Sequence, residues 1–374
     1  MEVIMEEDPF CFELSTETNA KETIALLIRK PDYYDCFQCT MGACHDTCCA
    51  AWDIVIDEDH AAFYNALPGE LGERIRDSLR MDEDGDPCFS VEGGHCPLLT
   101  EDGLCSIQLE LGEDKVCDTC RSHPRFIEEY GSFKEMALAA SCPAAIELIL
   151  SADARFETEN DAEPEFVCED VDEGLLQALL PCRARAFELL ERTDLTWKQR
   201  LTALLVFGSE LQIALLSDDL EELVQLAEEW AEVDGERLNA PVPEETDGRA
   251  TRQRCLELLG ELEVLDESWA RDVTDREAGV GQSVVPEEWE RRWAAYLLWR
   301  WFLRADFDGD VYGKLALPVL SILTLRELSG GENWMEWARR WAKEVEHSAE
   351  NLNALYDALC TEEELAPDQL IGAL

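Results

Sequence analysis

The spacing of hydrophobic positions changes twice along this chain. Residues 1–35 are mostly polar, with one apolar run, Thr23 to Ile28, that Pro31 brings to a stop. Ala50 to Asp57 alternates apolar and polar side chains as a short strand does. Asp57 or Asp59 can then N-cap a helix carrying Phe63, Tyr64 and Leu67. Residues 80–95 gather Gly, Pro and Asp and read as a loop. The Asp102-Gly103 pair between apolar runs predicts a two-residue hairpin turn in which Thr100 faces Cys105. In that register Cys96 shares a face with Cys105 but lies roughly 13 Å along the strand. Either the hairpin ends early at Pro97, or the two thiols serve different centres.

From Asp170 onward the period is helical. Leu175, Leu176, Leu179 and Leu180 make one face before Pro181, and Leu201, Leu204, Leu205 and Leu211 repeat at three and four. Asp218 and Asp219 precede an amphipathic stretch running to Trp230. Residues 239–250, rich in Pro, Asp and Gly, read as a linker or long loop. Further helices are expected at 251–264, 287–304, 315–328 and 332–358. Trp334, Trp337 and Trp341 form a stripe that reads as core. The expected fold is mainly α: a loop-rich cysteine-cluster metal-binding module with short strands, followed by an all-helical region. The expected division is a lead-in at 1–35, the module at 36–150 and a helical domain at 170–374.

Composition narrows the function. The 374 residues include 83 acidic and 31 basic side chains, a formal net charge of −52. That field repels nucleic acid and anionic lipid. It suits a lysine-bearing partner, or it serves solubility alone. The first residues lack a basic n-region and an apolar core, and no apolar run approaches the 18 residues or so of a membrane span. The expectation is a cytoplasmic protein without membrane insertion.

A reducing compartment changes how the sixteen cysteines read, because thiols there favour metal binding or redox chemistry over disulfides. Eleven of the sixteen fall between Cys36 and Cys142. The series runs Cys36-x2-Cys39-x4-Cys44-x3-Cys48-Cys49, then Cys88, Cys96-Pro97 and Cys105, then Cys117-x2-Cys120 and Cys142-Pro143. The two-residue spacing suits half of a zinc site or an iron–sulfur ligand pair. A proline after the cysteine holds the preceding backbone extended and fixes how the thiol projects. The vicinal Cys48-Cys49 pair diverges in either a strand or a helix, so it can feed two centres. A polynuclear site or two sites accounts for the count better than one zinc ion. His45, His95 and His123 stand near cysteines and are ambiguous ligands, whereas His60 and His347 lie in helical surroundings and read as solvent-facing or structural.

Other chemistries lack their motifs. No G-x-G-x-x-G, Walker loop, G-x-S-x-G or H-E-x-x-H is present. Asp82 to Asp86 fails as a calcium loop on the glycine offset and on the missing twelfth-position glutamate. The Cys-x3-Cys-x2-Cys of radical S-adenosylmethionine enzymes fails at Ala51.

Cys39-x4-Cys44-x3-Cys48-Cys49, CPLLTEDGLCSI (96–107), KVCDTCRSHPRF (115–126) and SCPAA (141–145) together resemble the flagellin lysine-N-methylase family, FliB. That family shares a cysteine-cluster domain named for zinc or iron chelation, of which YkgJ-type proteins carry a shorter version. The resemblance covers about 36–146, and the helical part, with WAAYLLWRWFL at 293–303, is compatible with the long form. Cys39, Cys44, Cys48, Cys49, Cys96, Cys105, Cys117, Cys120 and Cys142 match family positions and are the implied metal ligands. Cys36 and Cys88 look like extras, and His123 replaces an expected aromatic before Pro124-Arg125. The resemblance implies methyl transfer from S-adenosylmethionine to lysines of flagellin or another lysine-bearing protein. It also implies a cysteine-bound centre, with a 4Fe–4S iron–sulfur cluster favoured over zinc. The alternative is a non-enzymatic module that stores, senses or delivers iron or zinc. The residues themselves identify neither the catalytic base nor the donor site.

Overall fold

A computed structural model of the protein describes residues 27–49, 54–82, 85–89, 95–160, 171–239, 248–274, 276–279 and 285–374. Its helices follow the expected pattern, and its strands are short. Leu27–Pro31 (β1) pairs in parallel with Phe133–Leu138 (β6) and antiparallel with Phe156–Asn160 (β7). Arg125–Tyr130 (β5) closes a hairpin with β6, giving the order β5-β6-β1-β7. The hairpin turns at Gly131, whose φ of +55° a side chain would resist. A second small sheet joins Ile54–Val55 (β2), Leu79–Met81 (β3) and Pro87–Phe89 (β4) in the order β2-β4-β3. β1 thus lies within the expected lead-in yet pairs with β6 of the cysteine module and with β7 just beyond it. β3 and β4 fall where a loop was expected.

Of the two candidate caps, Asp57 and Asp59, Asp57 is the one used, and it does more than cap one helix. Its Oδ1 accepts from the His60 N–H at 2.9 Å at the head of the Glu58–Ala66 helix. Its Oδ2 accepts from the Asp118 N–H at 3.0 Å, at the head of the Asp118–Ser122 helix that joins Cys117 to Cys120. Nearby, the buried Tyr64 donates its hydroxyl to the Lys115 carbonyl at 2.8 Å. One carboxylate and one phenol therefore set the position of the Cys117-x2-Cys120 segment.

The helical part is organised around Val311–Ser329, which is buried on every side apart from Arg326 and Glu327. Helices Trp197–Leu216, Glu287–Trp301, Trp334–Glu346 and Ala349–Thr361 pack on it. A helix apolar all round has to be interior, and the apolar run at 315–325 is this core rather than a membrane element. Among the described residues no helix is long and apolar enough to cross a membrane. Trp334 and Trp341 of the expected stripe are buried and meet Trp293 edge-on, at ring separations of 6.2 and 5.7 Å.

Two boundaries differ from expectation. Pro181 lies inside the Glu173–Glu191 helix instead of ending it. The helix tolerates the lost N–H because Cys182, Arg183, Ala186, Leu189 and Leu190 beyond it are all buried. The expected 332–358 helix is two helices, divided at His347 and restarted by Ser348, whose hydroxyl accepts from the Asn351 N–H at 3.1 Å. The expected loop at 239–250 lies mostly outside the described residues, and the chain resumes in the Gly248–Glu261 helix.

Replacing Asp57 removes caps from two helices at once. Asp57→Ala is expected to cost about 2 kcal/mol, near 1 kcal/mol per cap, read as a lower urea midpoint at pH 7. Asp57→Asn keeps one of the two acceptor oxygens and is expected to lose about half as much, near 1 kcal/mol. Burial opposes ionisation of Asp57, but the Asp118 and His60 N–H groups and the His60 ring outweigh it and hold the carboxyl down at about 2. The contribution is therefore present above pH 4 and lost as pH falls through about 2, so the gap between wild type and Asp57→Ala should narrow in acid.

Candidate metal centre and cleft

The motif cysteines converge because short hydrogen-bonded turns aim them inward. In the loop from Cys36 to Cys49, the Met41 N–H donates to Cys39 Sγ at 3.3 Å and the Cys49 N–H to Thr47 Oγ1 at 3.2 Å. The Cys96 N–H donates to the Cys49 carbonyl at 2.7 Å, which docks the second motif against the vicinal pair.

The hairpin that follows Cys96 has a different register from the expected one. Thr100 N–H bonds the Leu104 carbonyl, Gly103 N–H bonds the Thr100 carbonyl, and Leu99, not Thr100, sits opposite Cys105. Gly103, with φ of +74°, takes the left-handed position after the turn, and the extra residue shifts the pairing by one. A further turn, with Leu99 N–H on the Cys96 carbonyl, ends the strand early around Pro97. That turn folds Cys96 back towards Cys105.

Three motif cysteines occupy helix N-cap positions: Cys105 before Ser106–Leu111, Cys117 before Asp118–Ser122, and Cys142 before Pro143–Ser151. Burial is the larger influence on Cys105 and Cys142 and raises both thiols, while the first-turn N–H groups of the following residues act in the opposite direction. Pro143 sits at the start of its helix, where its missing N–H costs nothing. Cysteine is not a residue from which a cap is ordinarily predicted, and only the Cys-Pro pairing hinted at it.

Seven of the nine candidate ligands, Cys39, Cys44, Cys48, Cys49, Cys105, Cys120 and Cys142, line one cleft of about 570 Å³. Cys96 and Cys117 are buried immediately behind it. Cys36 and Cys88 are not on its lining. Their mutual electrostatics divide the nine thiols. Charge on Cys39 and Cys142 acts on Cys48, and charge on Cys44 and Cys39 acts on Cys142. Separately, Cys96 feels Cys49, Cys105 and Cys117, and Cys120 feels Cys117, Cys49 and Cys96. The vicinal pair is the junction, Cys48 facing the first set and Cys49 the second.

Within the pairs one sulfur holds the proton for the other. The hydrogen bond from Cys48 lowers the Cys49 thiol to about 7 while Cys48 is driven up. Cys117, hydrogen-bonded by Cys120, is likewise lowered to about 7. Burial pushes Cys96 up to about 11. The donor set is therefore all thiol, with two sulfurs already poised to ionise, and this chemistry fits a thiolate-bound metal or cluster.

The helical part supplies the opposite wall. Lys343 and His347, from the end of the Trp334–Glu346 helix, line the cleft with Ser141, His123 and Arg125. Asp46, inside the cysteine loop, receives the Arg339 guanidinium and the Lys343 ammonium, the latter at 3.0 Å. Arg339 also donates to the Ser141 carbonyl at 3.1 Å. His347, expected to be solvent-facing or structural, is exposed at the C-cap of its helix and also makes a contact on the cleft wall. Its Nε2 lies 2.7 Å from Ser141 Oγ, and its ring is 6.2 Å from that of His123. Desolvation by the surrounding cleft wall lowers both histidines to about 4, with nearby positive groups adding to the effect at His347, so both are neutral at pH 7. His45 is exposed beside Glu336, and His95 is exposed away from the lining. His60 is structural, bonded to Asp57 at 2.8 Å. No local pattern marks Asp46, Ser141, Lys343 or His347 as cleft residues, because they meet only through the tertiary fold.

Among the described residues, Asp57, His60 and Asp118 form the one group of three potential ligands within 4.8 Å of one another. Both Asp57 oxygens there are already engaged by helix N–H groups and by His60, so the group is accounted for as a shared cap.

Comparison with known proteins bears on what this cleft serves. The chain is 29% identical over 132 residues to lysine-N-methylase from Salmonella typhimurium and to its counterpart from Salmonella choleraesuis. The match covers 34% of this chain and 33% of each relative. Over a third of its length, this chain is similar to lysine-N-methylases. The chain is also 29% identical over 132 residues to the flagellar biosynthetic protein FliU of Salmonella muenchen, covering 78% of it. The resemblance drawn from the cysteine motif is borne out by these relatives, although the chain matches only about a third of the length of the two methylases. No family model matches the chain. No solved structure matches it.

Behind His347, Glu346 is buried and accepts the Tyr296 hydroxyl at 2.6 Å, and the Tyr296 oxygen in turn accepts the Ala140 N–H at 3.1 Å. Burial pushes Glu346 up to about 7, against the opposing effects of the Tyr296 hydrogen bond and the Arg300 charge. A raised carboxyl gives stability that is complete below its unfolded value near 4.5 and lost as pH rises through about 7. Glu346→Gln should therefore flatten the decline in melting temperature between pH 5 and pH 8, worth roughly 3 kcal/mol in wild type. The two lowered histidines act in the opposite direction over pH 4 to 6.5, and the substitution leaves their rise in place. An unchanged decline above pH 5 would show that Glu346 is not its source.

Proposed function

We propose that this protein transfers methyl groups from S-adenosylmethionine to lysine side chains of flagellin or another lysine-bearing protein. The observation that carries the reading is the similarity to proteins named lysine-N-methylase, joined to a thiol-lined cleft built from the motif that first suggested it. In the reaction the lysine nitrogen loses a proton, its lone pair forms a bond to the methyl carbon, and the carbon–sulfonium bond breaks to leave S-adenosylhomocysteine.

The chain's own residues favour that sequence in two ways. A partly apolar cleft disfavours the charged ammonium and lowers the cost of losing its proton. His123 and His347 are neutral at working pH and place no positive charge against an entering lysine. The strongly acidic surface, net −52, would draw a lysine-bearing partner towards the mouth.

Cys39, Cys44, Cys48 and Cys142 would hold one thiolate-bound centre, and Cys49, Cys96, Cys105, Cys117 and Cys120 another. Nine thiols in two sets are more than one zinc ion takes, and an all-thiol donor set also suits an iron–sulfur cluster. When bound, such a cluster would supply negative charge and iron to the cleft.

Two measurements test the reading. Anaerobic incubation of the purified protein with methyl-labelled S-adenosylmethionine and cognate flagellin should place label on lysine. Reversible metal uptake with no label would leave a metal-handling module instead. For the thiol sets, Cys48→Ala and Cys49→Ala are each expected to keep about half of the iron and acid-labile sulfide. Complete loss in both variants would mean that a single polynuclear centre spans all nine thiols.

A further inference from the structure

The cleft contains an arginine that the described residues leave without a carboxylate partner. In a chain with 83 acidic and 31 basic residues, cations readily find carboxylates. The other cations on the cleft wall have done so: Arg121 pairs with Asp118, and Lys343 pairs with Asp46. Among the described residues Arg125 has no carboxylate partner. Its guanidinium lies instead 5.1 Å from the Phe37 ring centre and 5.8 Å from that of Tyr34.

The surroundings hold it there. Phe37 and Tyr34 are buried against Leu138 and Ala145 and form a fixed shelf. The backbone of Arg125 begins β5 opposite Leu138, and the preceding Pro124 carbonyl accepts the Ala139 N–H at 2.6 Å. The nearby acids are not available to it. Asp46 is saturated by Arg339 and Lys343, and Glu113 stands at the exposed rim. A guanidinium resting on aromatic faces retains its planar fork of donors, which matches a carboxylate with two parallel hydrogen bonds. A cleft of about 570 Å³ is the size of a small-molecule site.

We infer that Arg125 is the receptor for the carboxylate of a small amphiphilic ligand in this cleft, and specifically for the α-carboxylate of the methyl donor. The assignment rests on the methyltransferase reading. It adds to that reading a named binding residue and an orientation, with the carboxylate end of the donor towards β5 and the shelf.

Equilibrium binding to the full chain, purified anaerobically, tests it with S-adenosylmethionine and its decarboxylated analogue as probes. Wild type is expected to bind S-adenosylmethionine at least tenfold more tightly than the analogue. Arg125→Gln should bring S-adenosylmethionine down to the level of the analogue and leave the analogue unchanged. Arg125→Lys, which keeps the charge and loses the fork, should fall between. Undiminished S-adenosylmethionine binding in Arg125→Gln would overturn the assignment while leaving the donor reading intact. Failure of wild type to bind either probe would overturn both. Loss of thiol-bound iron or zinc in Arg125→Gln, restored in Arg125→Lys, would also overturn it, because Arg125 would then be balancing the thiolates.

Discussion

The cysteine loop holds its shape because Asp46 is clamped by Arg339 and Lys343. Between Cys39 and Cys49 the chain contributes almost nothing to any hydrophobic core, and its turns are single hydrogen bonds. Arg339 is nearly buried, and it reaches both the Asp46 carboxylate and the carbonyl of Ser141, next to Cys142. Removing one partner of such a pair strands a buried charge, a cost of several kcal/mol in comparable settings. The clamp therefore couples the thiol module to the helical core, and the cleft exists only where the two meet.

A second constraint operates at the level of single sulfurs. Cys105, Cys117 and Cys142 stand at helix N-caps, where the positive end of the helix opposes the burial that would otherwise keep a thiol protonated. Asp57 does for the Cys117 segment what Arg339 does for the Cys48 loop. It fixes the helix that presents the sulfurs from a neighbouring, better-packed element. Short elements that could not stand alone are thus positioned by a few polar contacts to larger ones.

The electrostatics of the cleft differ from those of the surface around it. A protein with a net charge of −52 surrounds the site with acid, yet the lining carries two neutral histidines, paired cations and one arginine laid on aromatic rings. A basic side chain drawn in by the surface field would leave water and its counter-charges together. That combination, attraction outside and desolvation inside, is what an amine needs in order to arrive and then give up its proton.

The sequence determined the helical periods, the core role of Trp334 and Trp341, a helix cap at Asp57 or Asp59 and the cysteine spacing from which seven thiols come to line one cleft. Each is a local signal: a hydrophobic period, a capping residue at a helix start, a thiol spacing. It left the Asp102-Gly103 hairpin one residue out of register, because only the completed backbone shows Gly103 taking the left-handed bulge position. It followed one helical face only as far as Pro181, where tertiary burial of the following turns outweighs the lost hydrogen bond and the helix continues. His347, Ser141 and Arg339 gave no sequence signal at all, since they become neighbours across about 200 residues. Which sulfurs face which, and what stands opposite them, was decided by the packing of the Trp334–Glu346 helix against the cysteine loop. Long-range packing leaves no period in the chain for a reader to follow.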